Sequence, residues 1–376
     1  MHDRRDERAE LKRLITTGIS LQMFAPRRVG KTWLLRELAK DLKSDGWNVV
    51  FVDVQGKRTI ADFLKELCDQ ARKQLPIVGQ AWTQFTTRLD TLFKKGLEGN
   101  AWSAFGALDF AEFSESLVAA LNAAGARTVI IIDEIAYFVS ALLGTAPTEA
   151  KSFLYHLRRL QLEYRNVRWI LTGSIGIDVV AKRANLQGAL VDLDVFTLDP
   201  FTEVQARSFL EDLNHRRVPK RPFAIGDEAF AHLARQLGWL SPYYVEQVVK
   251  LVDASGPTGH GLPLASVEDI ERAFEAIVRP EYRKQFSPFE EYIDKNFPTI
   301  EARRLHAILR ACSRSADGEG LSSLMGLFTG DLAADKSQLM DALTALEAGG
   351  HLVHEDERWR FRSGLLRRYW LKYHPE

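Results

Sequence analysis

The sequence predicts an α/β fold, a parallel sheet covered by helices, with a helical module and a region of helices plus a β-hairpin behind it. Three observations lead there. Short apolar runs at Ile19 to Phe24, Trp47 to Val54, Thr128 to Ile132 and Val167 to Leu171 alternate with amphipathic helical stretches, as strands buried on both faces do. The first run breaks into Ala25-Pro26-Arg27-Arg28-Val29-Gly30-Lys31-Thr32 and opens a helix at Trp33. The third runs straight into Asp133-Glu134.

At 376 residues and 46% apolar content the chain can bury more than one core. We divide it into residues 1–200, 201–285 and 286–376. Lys plus Arg balance Asp plus Glu at 50 each, so any basic surface must be local. The charged N-terminus has no apolar signal segment, and no run approaches the roughly 20 residues of a membrane span. Two cysteines, Cys68 and Cys312, without metal-ligand spacing, fit a reduced cytoplasmic setting.

Taken in order, residues Asp6 to Ile15 have helical spacing and lead into the first strand. The turn after it reads as a phosphate-binding loop. Backbone N–H groups from Ala25 through Trp33 converge at a helix N-terminus, Lys31 supplies a cation and Thr32 a hydroxyl for Mg²⁺. Ala25 stands where the G-x-x-x-x-G-K-[ST] pattern has its first glycine. Alanine fits if φ there is not strongly positive, and Pro26 fixes the turn. The helix runs to about Lys43, before Asp45-Gly46. The strand Trp47 to Val54 follows; its Asp53-Val54-Gln55-Gly56 matches D-x-x-G, but no N-K-x-D follows, so it reads as a strand end. Helices are expected over Ile60 to Gln74 and Phe110 to Ala123, with an aromatic-bearing insertion at Ile77 to Gly106 between them.

Adjacent carboxylates at the end of a buried strand suit two tasks. Asp133 can hold Mg²⁺ and Glu134 can polarise an attacking water. After a helix from Thr148 to Tyr164, the strand Val167 to Leu171 ends in Thr172-Gly173-Ser174, where either hydroxyl can sense the γ-phosphate. A last strand is expected from Leu190 to Leu198. The extra strand between the phosphate-loop strand and the Asp-Glu strand marks a P-loop nucleotidase of the additional-strand type.

From Phe201 the pattern becomes an all-helical module, with helices at Glu203 to Leu213, Asp227 to Leu237, Pro242 to Leu251 and Val267 to Ile277, and a loop from Asp253 to Ser266. Residues Ile300 to Cys312, Leu321 to Met325 and Asp335 to Glu347 read as helices. His351 to His354 and Arg358 to Arg362 read as a hairpin, completing a winged-helix outline. Alternation places Arg358, Arg360 and Arg362 on one face of the strand and Trp359 and Phe361 on the other. That row suits a duplex DNA backbone and equally a solvated wing that contacts protein.

With these motifs in place, the chain resembles the archaeal-type ATPases, a group close to the STAND and origin-recognition branches of the AAA+ class. The resemblance is carried by Pro26 to Thr32, Ile130 to Glu134, Leu171 to Ser174, Gly238 to Tyr244 and the closing Phe361 to Trp370. It implies a parallel-sheet AAA+ core, a helical lid and a winged-helix domain, with ATP and Mg²⁺ as cofactors and slow ATP hydrolysis by a molecular switch. It also implies self-association or a protein partner. Pro242 and Tyr243 would meet adenine or ribose, or else simply start a helix. An arginine finger would come from Arg183, Arg165 or Arg168.

Overall fold

The computed structural model describes residues 4–25, 28–74, 83–85, 87, 110–173, 176–259, 261–327 and 332–375. The chain forms two compact units, Arg4–Ala25 with Lys31–Leu198, and Pro26–Gly30 with Asp199–Glu376. Most of the expected insertion lies outside the described residues.

The first unit opens with α1 (Arg5–Thr16), β1 (Leu21–Phe24), α2 (Lys31–Ser44), β2 (Asn48–Asp53), α3 (Ile60–Gln74) and α4 (Phe110–Asn122). It continues with β3 (Thr128–Asp133), α5 (Ile135–Thr145), α6 (Pro147–Glu163), β4 (Val167–Gly173), α7 (Ile177–Arg183) and β5 (Asp194–Thr197). The strands form a five-stranded parallel sheet in the order β2-β3-β4-β1-β5. One strand, β4, thus separates β1 from β3, the additional-strand arrangement, while β2, which intervenes in the sequence, lies on the far side of β3. All six residues of β3 are buried, which explains why its sequence is continuously apolar rather than alternating. Phe63 of α3 packs on Phe138 of α5 and Phe153 of α6, with ring centroids 5.3 and 4.9 Å away.

Two elements differ from expectation. Helix α5 went unread because Ile135 to Leu143 is nearly all apolar, so no 3.6-residue period stands out. The last strand is shorter than Leu190 to Leu198, since a 3-10 turn at Gln187–Ala189 precedes it and the strand proper begins at Asp194. Among the described residues it pairs only with β1, and three of its four side chains are exposed.

In the second unit come α8 (Glu203–His215), β6 (Ala224–Ile225), α9 (Asp227–Leu237), α10 (Pro242–Val249), β7 (Thr258–Gly259), β8 (Leu262–Ala265) and α11 (Val267–Ile277). Capping boxes at Thr202/Gln205 and Ser266/Asp269 start α8 and α11. The module is not all-helical: β6, β8 and β7 form a small sheet. Strands of two to four residues are too short for alternation to register among the glycines and prolines of 253–266.

The chain then forms α12 (Ser287–Asn296), which the sequence did not reveal, α13 (Thr299–Arg314), β9 (Glu319–Gly320), α14 (Leu321–Met325) and α15 (Leu332–Ala348). It closes with β10 (Leu352–Glu355), β11 (Arg358–Phe361) and α16 (Gly364–Tyr373). The hairpin strands join a third in the antiparallel order β10-β11-β9. Asp356 and Glu357 both hold left-handed backbone, at φ 49° and 60°, as a two-residue hairpin turn requires.

Residues on either side of position 285 share one interior. Tyr244 stacks against Phe286 and Phe289, each centroid 6.2 Å away, and Phe286 stacks on Tyr369 at 4.3 Å. Arg368 donates to Glu271 at 2.7 Å and to Gln236 at 2.6 Å. Gly318 enters β9 at φ +80°, where a Cβ would stand 2.6 Å from the Trp359 carbonyl oxygen. Gly318→Ala should therefore lower stability by about 2 kcal/mol, read as a shifted urea midpoint with unchanged slope. Among the described residues no helix is long and apolar enough to cross a membrane.

Candidate functional site

The carboxyl ends of parallel strands in an open α/β sheet are where ligands bind. Here β1 leads into the loop before α2, and β2, β3 and β4 end alongside. Ala25 is fully buried and is not among the residues with positive φ, which explains why alanine fits that position. Positive φ falls instead on Arg28, at 73°, and Gly30, at 94°. Val29 is fully buried, and Trp33 is half-buried on α2. Pro26 and Arg27 lie outside the described residues.

Lys31 is the first residue of α2 and is almost entirely buried. Its Nζ lies 2.7 Å from Asp133 Oδ1 and donates to Glu134 Oε1 at 3.0 Å. The Thr32 hydroxyl donates to the other oxygen of Asp133 at 3.1 Å. Four residues from two distant stretches thus meet in one cluster. Glu134 holds left-handed backbone at φ 61°, immediately before α5, and its N–H donates to Asp133 Oδ1 at 3.0 Å. That conformation costs a non-glycine residue roughly 1–2 kcal/mol. It turns the chain sharply out of β3, and the Glu134 carboxylate meets Lys31.

Asp53 belongs to the same edge and was missed as a site residue. It pairs in register with Asp133 across β2 and β3. Its carboxyl is raised above the ordinary range, first by loss of solvation and further by the negative charges of Asp133 and Glu134. Only the strand register, a tertiary fact, could have found it. On the other side, Thr172 stands one residue beyond the pair Ile132↔Leu171, level with Asp133. Its hydroxyl is buried and has no hydrogen-bond partner among the described residues. Ser174, the other sensor candidate, lies outside the described residues.

The donors gathered here are carboxylate and hydroxyl oxygens, the set that suits a hard cation such as Mg²⁺. Three carboxylates face one lysine, so the cluster keeps negative charge for such an ion to balance.

In the second unit, with which the loop residues group, the Ser241 hydroxyl donates to the Arg28 carbonyl at 2.6 Å. The Arg28 guanidinium lies 4.1 Å from the Tyr243 ring centroid, a cation–π contact. Pro242 is the first residue of α10, as its fixed φ favours. Of the finger candidates, Arg183 ends α7, Arg165 precedes β4, and Arg168 lies near its amino end.

The arginine row of the hairpin is broken. Arg358 donates to the Gly318 carbonyl at 2.9 Å, and Arg360 pairs with Glu355. Arg362 turns inward over Trp239, 5.7 Å from the ring, and burial lowers its pKa. Alternation gave the face correctly but not the depth, because Trp239 comes from far along the chain.

Residues 20–180 match the family model for the AAA domain. Among solved structures, the chain is similar to a Walker-type ATPase of Pyrococcus abyssi, at 18% identity and a TM-score of 0.65, over 98% of this chain and 95% of that one. It is similar also to the Aeropyrum pernix ORC2 protein in its ADPNP-ADP complexes, at 13% identity and a TM-score of 0.53, over 100% and 96% of the two chains. At these identities the likeness is one of fold. The expected resemblance is borne out in the AAA-domain match of residues 20–180 and in the fold, a parallel-sheet P-loop core like that of these structures. No curated protein matches the chain.

Proposed function

We propose, on the premise that residues 20–180 are an AAA domain, that the chain binds and slowly hydrolyses ATP as a switch whose state reaches a macromolecular partner. The observation that carries this is Lys31 Nζ held between Asp133 and Glu134, with the Thr32 hydroxyl on the same aspartate. Lys31 and the amides of the loop from Ala25 to Trp33 bind the β- and γ-phosphates. Thr32 and Asp133 hold Mg²⁺, which when bound neutralises phosphate charge. Glu134 orients the attacking water and accepts its proton. Thr172 or Ser174 senses the γ-phosphate; the buried, unpartnered Thr172 hydroxyl supports the first.

Adenine is the base this reading assigns, supported by the ADPNP and ADP of the ORC2 relative. Pro242 and Tyr243 are assigned to base or ribose because Tyr243 already carries the guanidinium of a loop residue. Residues 1–200 form the ATPase core, 201–285 a lid and 286–376 a winged helix. A protein, a second copy included, fits better than duplex DNA as partner. The described exposed face of α15 carries Lys336 against Asp341, with Ser337, Gln338 and Met340, so it has no net charge for phosphates. Buried Cys68 and Cys312 thiols, both raised by burial, suit a reduced cytoplasm.

Calorimetry of the full chain tests the reading. ATP with Mg²⁺ should give saturable heat at about micromolar to millimolar concentration. Absence of heat with ATP and with GTP would overturn it.

A further inference from the structure

A second charged cluster lies at the amino edge of the five-stranded sheet, away from the carboxyl edge that carries Lys31 and Asp133. Arg127 immediately precedes β3, Arg165 sits in the turn before β4, and Arg168 is the second residue of β4. Thr128 pairs in register with Val167 and Val129 with Arg168, so all three arginines lie at the amino ends of two neighbouring strands. Two of them reach the turn between α1 and β1. The Arg127 guanidinium donates to the Thr16 carbonyl at 3.1 Å, and Arg168 packs so closely on Gly18 that a Cβ there would stand 3.0 Å from Nη2.

Packing within the fold does not account for Arg168. The residue is half-buried, and its Nε is shut off from solvent with no hydrogen-bond partner among the described residues. Nη1 makes only a long bond to the adjoining Val167 carbonyl, at 3.4 Å. Loss of solvation lowers the pKa of this guanidinium, and the charges of Arg127 and Arg165 lower it further, with no carboxylate among the described residues to offset them. A buried cation is normally paired, and a buried donor without an acceptor points to a missing partner. Arg127 has a structural task, since its bond to Thr16 satisfies a carbonyl at the end of α1. Arg165 is exposed and has no ion pair or hydrogen bond among the described residues.

We propose that Arg165 and Arg168, with Arg127 beside them, bind a tetrahedral oxyanion of the phosphate class at the amino edge of the sheet. A guanidinium presents a planar fork of N–H donors. Phosphate has enough oxygens to receive forks from more than one arginine, whereas a carboxylate is matched by a single fork. The anion supplies the acceptor that Arg168 Nε lacks and offsets the repulsion among the three cations. The loop before Lys31 lies at the other end of the strands, so this anion is distinct from any nucleotide held there, and the site stands whether or not the chain binds ATP.

The experiment follows the arginine Nε–H signals of the isotope-labelled full chain by NMR as inorganic phosphate replaces chloride at constant ionic strength. The Arg168 signal, assigned through its own backbone amide, should shift saturably at about millimolar phosphate. Arg165→Gln, at an exposed position in a turn, should weaken that response about tenfold, the loss of one charge-assisted contact. A response that arose from phosphate at the loop before Lys31 would be untouched by that variant. Acetate, which stands in for the acidic side chain of a partner protein, should leave the signal in place at the same concentration. An Arg168 signal indifferent to phosphate, a response undiminished in Arg165→Gln, or one that acetate reproduces would overturn the assignment.

Discussion

Glu134→Gln should bind ATP with Mg²⁺ about as tightly as the native chain and turn it over about 10²- to 10⁴-fold more slowly, the usual contribution of a positioned general base. The amide keeps the shape of the side chain, so the left-handed backbone before α5 and the fold around it persist. Lys31 keeps Asp133 at 2.7 Å, and Thr32 keeps its bond to the same aspartate. What disappears is the ability to accept a proton from water. Phosphate release and nucleotide titration, measured on the same preparation, separate the two effects. Turnover at the native rate would show that another group acts as the base. Asp53, whose raised carboxyl faces the same edge, would be the next to replace.

Lys31→Ala should weaken ATP binding by about 2–5 kcal/mol, roughly thirty-fold to several-thousand-fold, as loss of a buried charged contact does. It should also destabilise the first unit, because Asp133 and Glu134 would stay behind, nearly buried, without the cation between them. Breaking a buried ion pair from one side costs about 3–5 kcal/mol. The double variant Lys31→Ala with Glu134→Gln discriminates between lost folding and lost binding. Removing one negative charge should restore part of the thermal stability and none of the affinity. If affinity returned with stability, Lys31 would be a structural residue rather than a phosphate ligand.

How much of this was legible depended on where the partners lie along the chain. The strand, loop and helix around Lys31 were readable because their residues are contiguous and each demands a specific backbone. Asp133 and Glu134 were readable because they end an apolar run without interruption. Asp53 was not, since its significance comes from register with β3, some 80 residues away. Helix α5 was hidden by its own hydrophobicity. The small sheet of the module after Phe201 was hidden by shortness, and α12 went unread. Arg362 shows the limit of alternation: period two assigns a side chain to a face, but only packing against Trp239 draws it out of solvent.

The aromatic stack running from Tyr244 through Phe286 to Tyr369, and the bonds from Arg368 to Glu271 and Gln236, have a mechanical consequence. They tie the helices after Phe201 to the closing helix α16, and the Ser241 hydroxyl on the carbonyl of Arg28 fixes the loop to the same body. Loosening any one of these contacts should therefore be felt across that unit, because its rings and ion pairs share one interior.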